Sequence, residues 1–321
     1  MSPEQLTQLA KLYYIDEMTQ EELAVRFSIS RIKVGRLLKR AVEEGLVEVR
    51  VRLRHPPEQT HALEQALINR FGIQRAIISV DHKDLDRQRE LLAGLVAAYL
   101  EQTLSDTSIV AVGMGRNVSA VPSHVTTAQR RNCSFVCAIG GSYRGGEAMN
   151  ADHICRHLAH RFGGDSVTLY APAMVESEAA RSELLKNDTV RQSLTKAQRA
   201  DLALVGVGDI LEDSNMVRMG WFTTEEITAV RELGAVGDIM GYDFIDIHGR
   251  PANTPLAGRV IGLTLEDLRR IPNVIAMASE PTKVTGILGA LRTGAINTLA
   301  TTQSIAQTVL SLAQATEAPA R

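Results

Sequence analysis

TQEELAVRFSISRIKVGRLLKRAVEEGLVEVRVRLR, residues 19–54, is the stretch that decides the fold of the N-terminal part of this chain. Thr19 stands three residues before Glu22, a spacing typical of a capping box at the start of a helix. The sequence Ser28-Ile29-Ser30 then interrupts the apolar pattern, with an isoleucine available to plug the core and a serine available to cap a second helix. Gly45 ends that helix, and from Leu46 to Arg54 apolar and polar residues alternate, which indicates a strand. The stretch therefore predicts two short helices, a tight turn and a β-strand, in that order.

Positive charge is concentrated in the same stretch. Residues 26–54 contain nine Lys or Arg and three Glu, a balance of +6, whereas the whole chain carries a formal net charge of −2. A basic second helix followed by a basic strand is typical of a winged helix-turn-helix, whose second helix fits the DNA major groove. We therefore predict that the chain binds DNA through Ser30, Arg31, Lys33, Arg36, Arg40, Arg50 and Arg52. Two other interpretations of these charges are a solvated face of an ordinary helical hairpin and a surface for protein contacts.

The composition suits a cytoplasmic regulator and an enzyme equally well. A chain of 321 residues can form two domains and bury a sizeable core in the larger one. No apolar run reaches membrane-spanning length, and the first ten residues lack the features of a signal peptide, so we expect no membrane contact. The three cysteines, Cys133, Cys137 and Cys155, are few and odd in number, which favours buried thiols in a reducing compartment.

The sequence His55-Pro56-Pro57 sets the predicted domain boundary, because prolines end the strand. This gives an N-terminal domain over residues 1–56 and a larger domain over residues 57–321. In the larger domain, short apolar runs predict strands at 76–80, 109–113, 135–139, 167–170, 202–207, 274–278 and 296–300. Helical patterns occur at 58–71, 85–104, 118–128, 151–162, 190–200, 223–233 and 283–292. Alternating strands and helices predict an α/β domain whose parallel sheet is covered on both faces.

Four segments at or near the predicted strand ends indicate a binding site, because ligands of such sheets bind beyond the carboxyl ends of the strands. These segments are Gly113-Met114-Gly115-Arg116-Asn117, Gly140-Gly141-Ser142, Gly206-Val207-Gly208-Asp209 and Lys283. Small residues let backbone N–H groups approach an anion, and Arg116 adds a positive charge and several donors. Packing alone explains any one glycine pair, but several pairs at one sheet edge favour a phosphorylated small molecule as the ligand.

Long, ordered motifs carry a resemblance to a known family. Besides residues 9–51, they are AVGMGRNVSAV at 111–121, AIGGS at 138–142, LVGVGDI at 204–210, GAVGDIMGYDFIDIHGRP at 234–251 and KVTGILGALRTGAINTLATT at 283–302. With them the chain resembles the SorC family of bacterial sugar-responsive transcriptional regulators over nearly its whole length. The resemblance implies a winged helix-turn-helix and an effector domain similar to sugar-phosphate isomerases. It also implies that the protein binds operator DNA and controls a carbohydrate catabolic operon. We expect no cofactor, and the resemblance implies a homo-oligomer, typically a tetramer formed as a dimer of dimers.

The resemblance assigns the ligand contacts residue by residue. The phosphate loop corresponds to Gly113, Gly115, Arg116 and Asn117, with support from Gly140, Gly141 and Ser142. The sugar or polyol end of the effector would be met by Asn150, Asp238 and Lys283. Asp238 can accept hydrogen bonds from paired hydroxyls, and Lys283 is a point charge for a phosphate or hydroxyl oxygen. The alternatives are that Asp238 only caps a turn and that Lys283 faces water.

Three positions depart from the family pattern. Gly35 stands where the recognition helix usually has serine, and glycine there costs about 0.5–1 kcal/mol relative to alanine. Asn150-Ala151-Asp152 stands in place of Asn-x-Asn, which brings a negative charge near a site for an anion. Thr301-Thr302-Gln303 stands in place of Thr-Asp-Glu. These differences concern the identity of the effector more than its class.

Two other kinds of site compete with this interpretation. A sugar-phosphate isomerase or aldolase-like enzyme would use Lys283 as acid, base or Schiff-base former with Asp238 as its partner, but such an enzyme does not need residues 1–54. His153, His157 and His160 lie on one predicted helix, and two histidines four residues apart can bind zinc. Because no distant carboxylate or thiol partner is evident, a polar helix face is the preferred interpretation. We therefore predict no catalytic residue and no metal.

Overall fold

The computed structural model describes residues 2–47, 60–127, 129–142, 146–218, 220, 222–240, 243–252, 254 and 258–316. The chain divides into two compact units, Met1–Val51 and Arg52–Arg321. The boundary predicted after residue 56 lies outside the described residues, as do Arg50, Arg52 and most of the predicted strand at 46–54. No helix within the described ranges is both long enough and apolar enough to cross a membrane.

Three helices form the described part of the first unit: α1 at Pro3–Tyr14, α2 at Gln20–Arg26 and α3 at Arg31–Glu43. The predicted capping box is confirmed at α2, where the Thr19 N–H donates to the Glu22 carboxylate at 2.8 Å and the Glu22 N–H donates to the Thr19 hydroxyl at 3.2 Å. Ile29 of the turn packs against the core of this unit, as predicted. That core includes Leu6, Leu9, Leu23, Val34, Leu37, Leu38 and Ala41.

A parallel sheet forms the centre of the second unit. Its strands are β1 (Arg75–Ser79), β2 (Ile109–Val112), β3 (Ser134–Cys137), β4 (Asp165–Val167), β5 (Leu202–Gly208), β6 (Ala235–Ile239), β7 (Asp243–Asp246), β8 (Asn273–Met277) and β9 (Thr298–Thr302). Seven of them follow the order β1-β9-β8-β5-β2-β3-β4, in which every neighbouring pair is parallel. Strands β6 and β7 form an antiparallel pair that extends from the end of β5.

Helices follow most of the parallel strands along the chain. They are α4 (His61–Phe71), α5 (Leu85–Thr103), α6 (Arg116–Ala120), α7 (Ala151–Phe162), α8 (Glu178–Lys186), α9 (Asp188–Gln198), α10 (Asn215–Arg218), α11 (Thr224–Glu232), α12 (Leu265–Arg270), α13 (Val284–Arg292) and α14 (Gln303–Ala315). All five residues of β9 are buried. Since successive side chains of a strand point to opposite faces, this burial requires cover on both faces of the sheet, as predicted.

Two predicted elements were wrong in detail, and one strand was not predicted. The fourth strand lies at Asp165–Val167 rather than 167–170. The helix predicted over 118–128 is the short α6 followed by a 3₁₀ turn at Val121–His124, because Pro122 lacks the N–H that would continue an α-helix. Strand β6 was not predicted, since its sequence Ala-Val-Gly-Asp-Ile contains two residues that are uncommon in strands.

Candidate functional site

A cavity of about 480 Å³ opens at the carboxyl edge of the parallel sheet. The segments that follow β2, β5 and β8 form its wall, together with the start of α5 and the end of β6. The wall includes five of the residues predicted to contact a ligand, namely Gly115, Arg116, Asn117, Asp238 and Lys283. Residues 206–209 lie on the same wall. The structure thus brings three of the four predicted strand-end segments to one cavity.

Glu280 is a carboxylate of this cavity with three polar or charged partners, and the prediction missed it. Its Oε2 accepts from the Asn117 amide at 2.8 Å and lies 3.1 Å from the Lys283 ammonium, while its Oε1 lies 3.6 Å from Arg89. Burial alone would raise the pKa of Glu280, but these three partners outweigh it and lower the pKa to about 2. The signal in the sequence was a charged residue at the end of an apolar strand segment.

Asn117 joins two sides of the cavity. Its amide nitrogen donates to Glu280, and its amide oxygen accepts from the Ser279 hydroxyl at 2.7 Å. The Ser279 carbonyl in turn accepts from the buried Gln88 amide of α5 at 2.5 Å. Asn117 was predicted to touch the ligand directly, whereas the structure directs both ends of its amide to protein groups. Asn117 therefore fixes the position of the Glu280 carboxylate.

Arg116 differs from the other cations of the cavity. Each of the other three is ion-paired: Arg89 with Asp86 at 2.7 Å, Arg218 with Asp213 at 3.2 Å and Lys283 with Glu280 at 3.1 Å. Within the described ranges, Arg116 has no carboxylate within ion-pairing distance, and its buried Nε has no hydrogen-bond acceptor. An anionic ligand would satisfy this guanidinium, because a guanidinium binds phosphate and carboxylate through several donors at once.

Asp238 lies at the end of β6, where it is only 3% exposed. It pairs with Gly208 of β5, and a Cβ at Gly208 would collide with the Asp238 carboxylate. A Cβ at Gly237 would come within 2.5 Å of the Gly286 Cα on α13, so glycines also let β6 approach that helix. Gly208 of the β5 segment thus serves close packing around an acidic side chain.

Acidic groups outnumber basic ones on the described wall of this cavity. The carboxylates are Asp84, Asp86, Asp209, Asp213, Asp238 and Glu280. The cations are Arg89, Arg116, Arg218 and Lys283. Carboxylates accept hydrogen bonds strongly from hydroxyl groups. The wall therefore suits a hydroxyl-rich molecule with one anionic group better than a molecule that is anionic throughout.

Three of the other predicted contacts, Gly141, Ser142 and Asn150, line a second cavity of about 390 Å³. The Asn150 amide oxygen accepts from the Ser142 N–H at 2.6 Å, and its nitrogen donates to the Ser142 and Gly146 carbonyls at 2.8 and 2.9 Å. Asn150 therefore closes a loop of the main chain. Gly141 and Ser142 were predicted to support the phosphate loop and Asn150 to meet the sugar end of the effector, but the structure places all three at this second cavity.

Gly113 and Gly140 line neither of the two cavities just described. The Gly113 N–H continues the sheet by donating to the Leu204 carbonyl at 2.8 Å. A Cβ at Gly140 would lie 2.5 Å from the Ala171 carbonyl oxygen, so this glycine allows two chain segments to pass closely. Both positions favour the packing explanation of the glycine pairs that the sequence had left open.

The histidines of α7 are close to one another. The rings of His153 and His157 have centroids 4.4 Å apart, and His153 Nδ1 lies 3.6 Å from the Glu147 carboxylate. Burial, and then the neighbouring His153, lower the pKa of His157. Across the part of the chain that the structure describes, no three His, Cys, Asp or Glu side chains are grouped so that they could hold a metal ion. The three cysteines are buried free thiols, as predicted.

The basic residues of α3 fall into two groups. Three of them pair with carboxylates: Arg31 with Glu21 at 2.9 Å, Lys39 with Glu43 at 3.6 Å and Arg40 with Glu44 at 2.6 Å. Lys33 and Arg36 are exposed and have no ion pair among the described residues. Ser30 caps the helix by accepting from the Lys33 N–H at 3.2 Å. Counting described residues alone, the first turns of α3 therefore present two cations without ion pairs to solvent.

Comparison with known proteins defines the class of the second unit. A family model described as "Putative sugar-binding domain" matches residues 55–311. The corresponding domain of a transcriptional repressor from Vibrio fischeri has a TM-score of 0.74 and 48% sequence identity, covering 79% of this chain and 99% of that one. The second unit is thus an α/β domain of the sugar-binding type that occurs in transcriptional regulators.

Two further relatives extend the similarity over both units. The transcriptional regulator LsrR of Escherichia coli K12 is 30% identical over 316 residues, which cover 96% of this chain and 94% of LsrR. The full-length sorbitol operon regulator SorC of Klebsiella pneumoniae has a TM-score of 0.73 and 25% identity, covering 96% of this chain and 98% of that one. The chain belongs to the SorC family of sugar-binding transcriptional regulators.

Proposed function

We propose that this protein binds operator DNA of a carbohydrate catabolic operon and that a phosphorylated sugar or polyol in the 480 Å³ cavity controls this binding. The observation that carries the proposal is the cavity wall, which combines many carboxylates with one unpaired guanidinium, that of Arg116, among the described residues. A sugar phosphate has the complementary composition, since its hydroxyls can donate to carboxylates and its phosphate needs a cation.

The DNA-binding part of the proposal assigns a winged helix-turn-helix to the first unit. In this assignment α2 and α3 form the helix-turn-helix, and α3 enters the major groove with its N-terminal residues near the bases. Lys33 and Arg36 can contact DNA without first breaking an ion pair to a described residue. Arg31 and Arg40 must exchange their carboxylate partners for DNA phosphates. Arg50 and Arg52, in the predicted wing, hold the DNA backbone. Such a protein works in the cytoplasm, where bacterial DNA lies.

The effector part assigns two ends to the cavity. The phosphate lies against Arg116 and the backbone at Gly115, while Asp238 accepts hydrogen bonds from sugar or polyol hydroxyls. Lys283 is held by Glu280 at 3.1 Å, so it acts as a paired donor to a hydroxyl or phosphate oxygen. Asn117 and Arg89 keep that pair in place.

We also propose that the protein is not an enzyme. The Lys283 ammonium is ion-paired with Glu280 at 3.1 Å, which suits a side chain that holds a ligand in place better than a free nucleophile or base. The rival hypothesis, a sugar-phosphate isomerase or aldolase-like enzyme, predicts turnover of ribose 5-phosphate or glucosamine 6-phosphate. We expect no isomerisation of either sugar, and measurable turnover would refute this part of the proposal.

The proposed assembly on DNA is a homo-oligomer, a tetramer formed from two dimers. Two recognition helices of one dimer require half-sites separated by about one helical turn or a multiple of it. Analytical ultracentrifugation of the full chain, with and without duplex, tests this assembly. A monomer at micromolar concentration in both conditions would contradict it.

Binding and effector class can be tested with the full-length protein. Duplexes selected from a random library would be titrated by fluorescence anisotropy at several salt concentrations, and sugars with and without phosphate would be screened by thermal shift. We expect affinity to fall steeply as salt rises, because phosphate contacts release counterions. We also expect phosphorylated sugars or polyols to raise the melting temperature more than their unphosphorylated forms. Binding that ignores salt would favour a surface for protein contacts instead.

A further inference from the structure

Ile32 is an apolar side chain in the middle of the basic surface of α3. It is 72% exposed, although isoleucine is normally buried. On α3, the buried residues Val34, Leu37, Leu38 and Ala41 define the face that packs against the core. With about 100° between successive residues, Ile32 lies almost opposite the centre of that face, on the same side as Arg36. Ile32 therefore contributes nothing to the core of the first unit and points away from it.

The surroundings of Ile32 distinguish it from Val25, another exposed aliphatic side chain of this unit. Lys33 and Arg36, its neighbours along the sequence and along the helix face, have no ion pair among the described residues. Val25 of α2 is 82% exposed, but its neighbours one turn earlier are the acidic Glu21 and Glu22. An apolar group beside two cations that have no ion pair among the described residues suits a partner that presents an apolar group next to negative charge.

We infer that Ile32 recognises the 5-methyl group of a thymine in the major groove, and this inference rests on the proposed DNA binding. A thymine is the base that presents an apolar group there, between phosphate backbones that attract Lys33 and Arg36. Ile32 is in the first turn of α3, and residues of that turn reach base edges in helix-turn-helix proteins. Lys33 and Arg36 supply affinity, while Ile32 supplies selectivity for thymine at one position of each half-site.

The test removes one methyl group from the DNA and one side chain from the protein. In a duplex selected by the full-length wild-type protein, each thymine would be replaced in turn by deoxyuridine, which has the same hydrogen-bonding groups without the methyl. We expect one position per half-site at which this change weakens wild-type binding about three- to fivefold, as for the loss of one buried methyl group. The same replacement should not affect I32A, and I32V should retain part of the effect.

Val25→Ala is the matched control, because it shortens a similarly exposed aliphatic side chain beside acidic residues. This variant should keep the full sensitivity to deoxyuridine, and circular dichroism checks that every variant is folded. Equal deoxyuridine effects in wild type and I32A, or no sensitive thymine in an enriched duplex, would overturn the role of Ile32 while leaving the proposed function intact. Failure of the wild type to enrich any duplex would overturn the proposed function and the inference with it.

Discussion

At the scale of single residues, the contact between Gly208 and Asp238 limits what the cavity wall can tolerate. A Cβ at Gly208 would collide with the Asp238 carboxylate, whereas a Cβ at Gly206 would meet the Met114 carbonyl oxygen at 3.5 Å, an ordinary contact. We predict that Gly208→Ala lowers the free energy of unfolding by about 1–3 kcal/mol, the usual cost of overpacking. Chemical denaturation measures this change, with Gly206→Ala as the control. Equal stability of the two variants would contradict the prediction.

Glu280 makes the stability of the second unit depend on pH. Its pKa falls from the usual 4.5 to about 2 in the folded protein, so the unfolded state binds its proton more readily. The carboxylate therefore contributes stability above pH 4.5, and this contribution disappears as the pH falls through about 2. We predict that Glu280→Gln costs on the order of 3 kcal/mol at pH 7 and progressively less from pH 4.5 downward.

Urea denaturation at pH 7, 5, 4 and 3 would measure the difference between wild type and Glu280→Gln at each pH. The control is Glu183→Gln, because Glu183 forms an exposed pair with Lys186 and should contribute little at any pH. A wild-type advantage that stays constant from pH 7 to pH 3 would show that folding does not lower the pKa of Glu280.

At the scale of elements, α3 contains a glycine that packing does not require. A Cβ at Gly35 would meet only the Gln20 amide oxygen, at 3.6 Å, and Gly35 has no positive φ. Because glycine is a poor helix former, we predict that Gly35→Ala raises the free energy of unfolding of the first unit by about 0.5–1 kcal/mol. Thermal unfolding followed by circular dichroism checks this value. A lower melting temperature would show that the space above Gly35 is needed within the fold.

Lys33 and Arg36, which have no ion pair within the described part of the chain, lead to a second prediction for α3. Lys33→Ala and Arg36→Ala should each weaken DNA binding and reduce the slope of log affinity against log salt by about 1 for each phosphate that is no longer neutralised. Lys186→Ala removes a paired cation from α8 and serves as the control, for which we expect an unchanged slope. Slopes that match wild type in both α3 variants would rule out phosphate binding by this part of the helix.

Local sequence patterns predicted some of these elements and missed others. The parallel strands and the capping box of α2 were predictable, because apolar runs and the spacing of Thr19 and Glu22 are local signals. The antiparallel strand β6 was not, since it is held by pairing with β5 rather than by its own composition. The bond from Asn117 to Glu280 joins residues 163 positions apart, and no local pattern encodes it. The meeting of the strand-end segments at one cavity was predictable from the topology of a parallel sheet. The hydrogen bonds and ion pairs between their side chains were not.

At the scale of the whole molecule, the proposed regulation requires that the cavity and the DNA-binding helix influence one another. A ligand that changes the affinity for DNA must have its own affinity changed by the same factor when DNA is bound. Coupling of about 1–3 kcal/mol is usual, which corresponds to a five- to hundredfold change in either affinity. Arg116 is the residue on which this coupling should depend most, because it is the cation of the described cavity wall that lacks a carboxylate partner.

The most direct measurement is the affinity of the full-length protein for a selected duplex, with and without a saturating phosphorylated sugar or polyol found by thermal shift. We predict a change of at least about fivefold in the wild type. In Arg116→Gln we predict unchanged affinity without the sugar and no response to it, whereas the control Arg191→Gln, on the exposed surface of α9, should respond like the wild type. Duplex affinity that is the same with and without every phosphorylated sugar or polyol that binds the protein would contradict the proposed regulation.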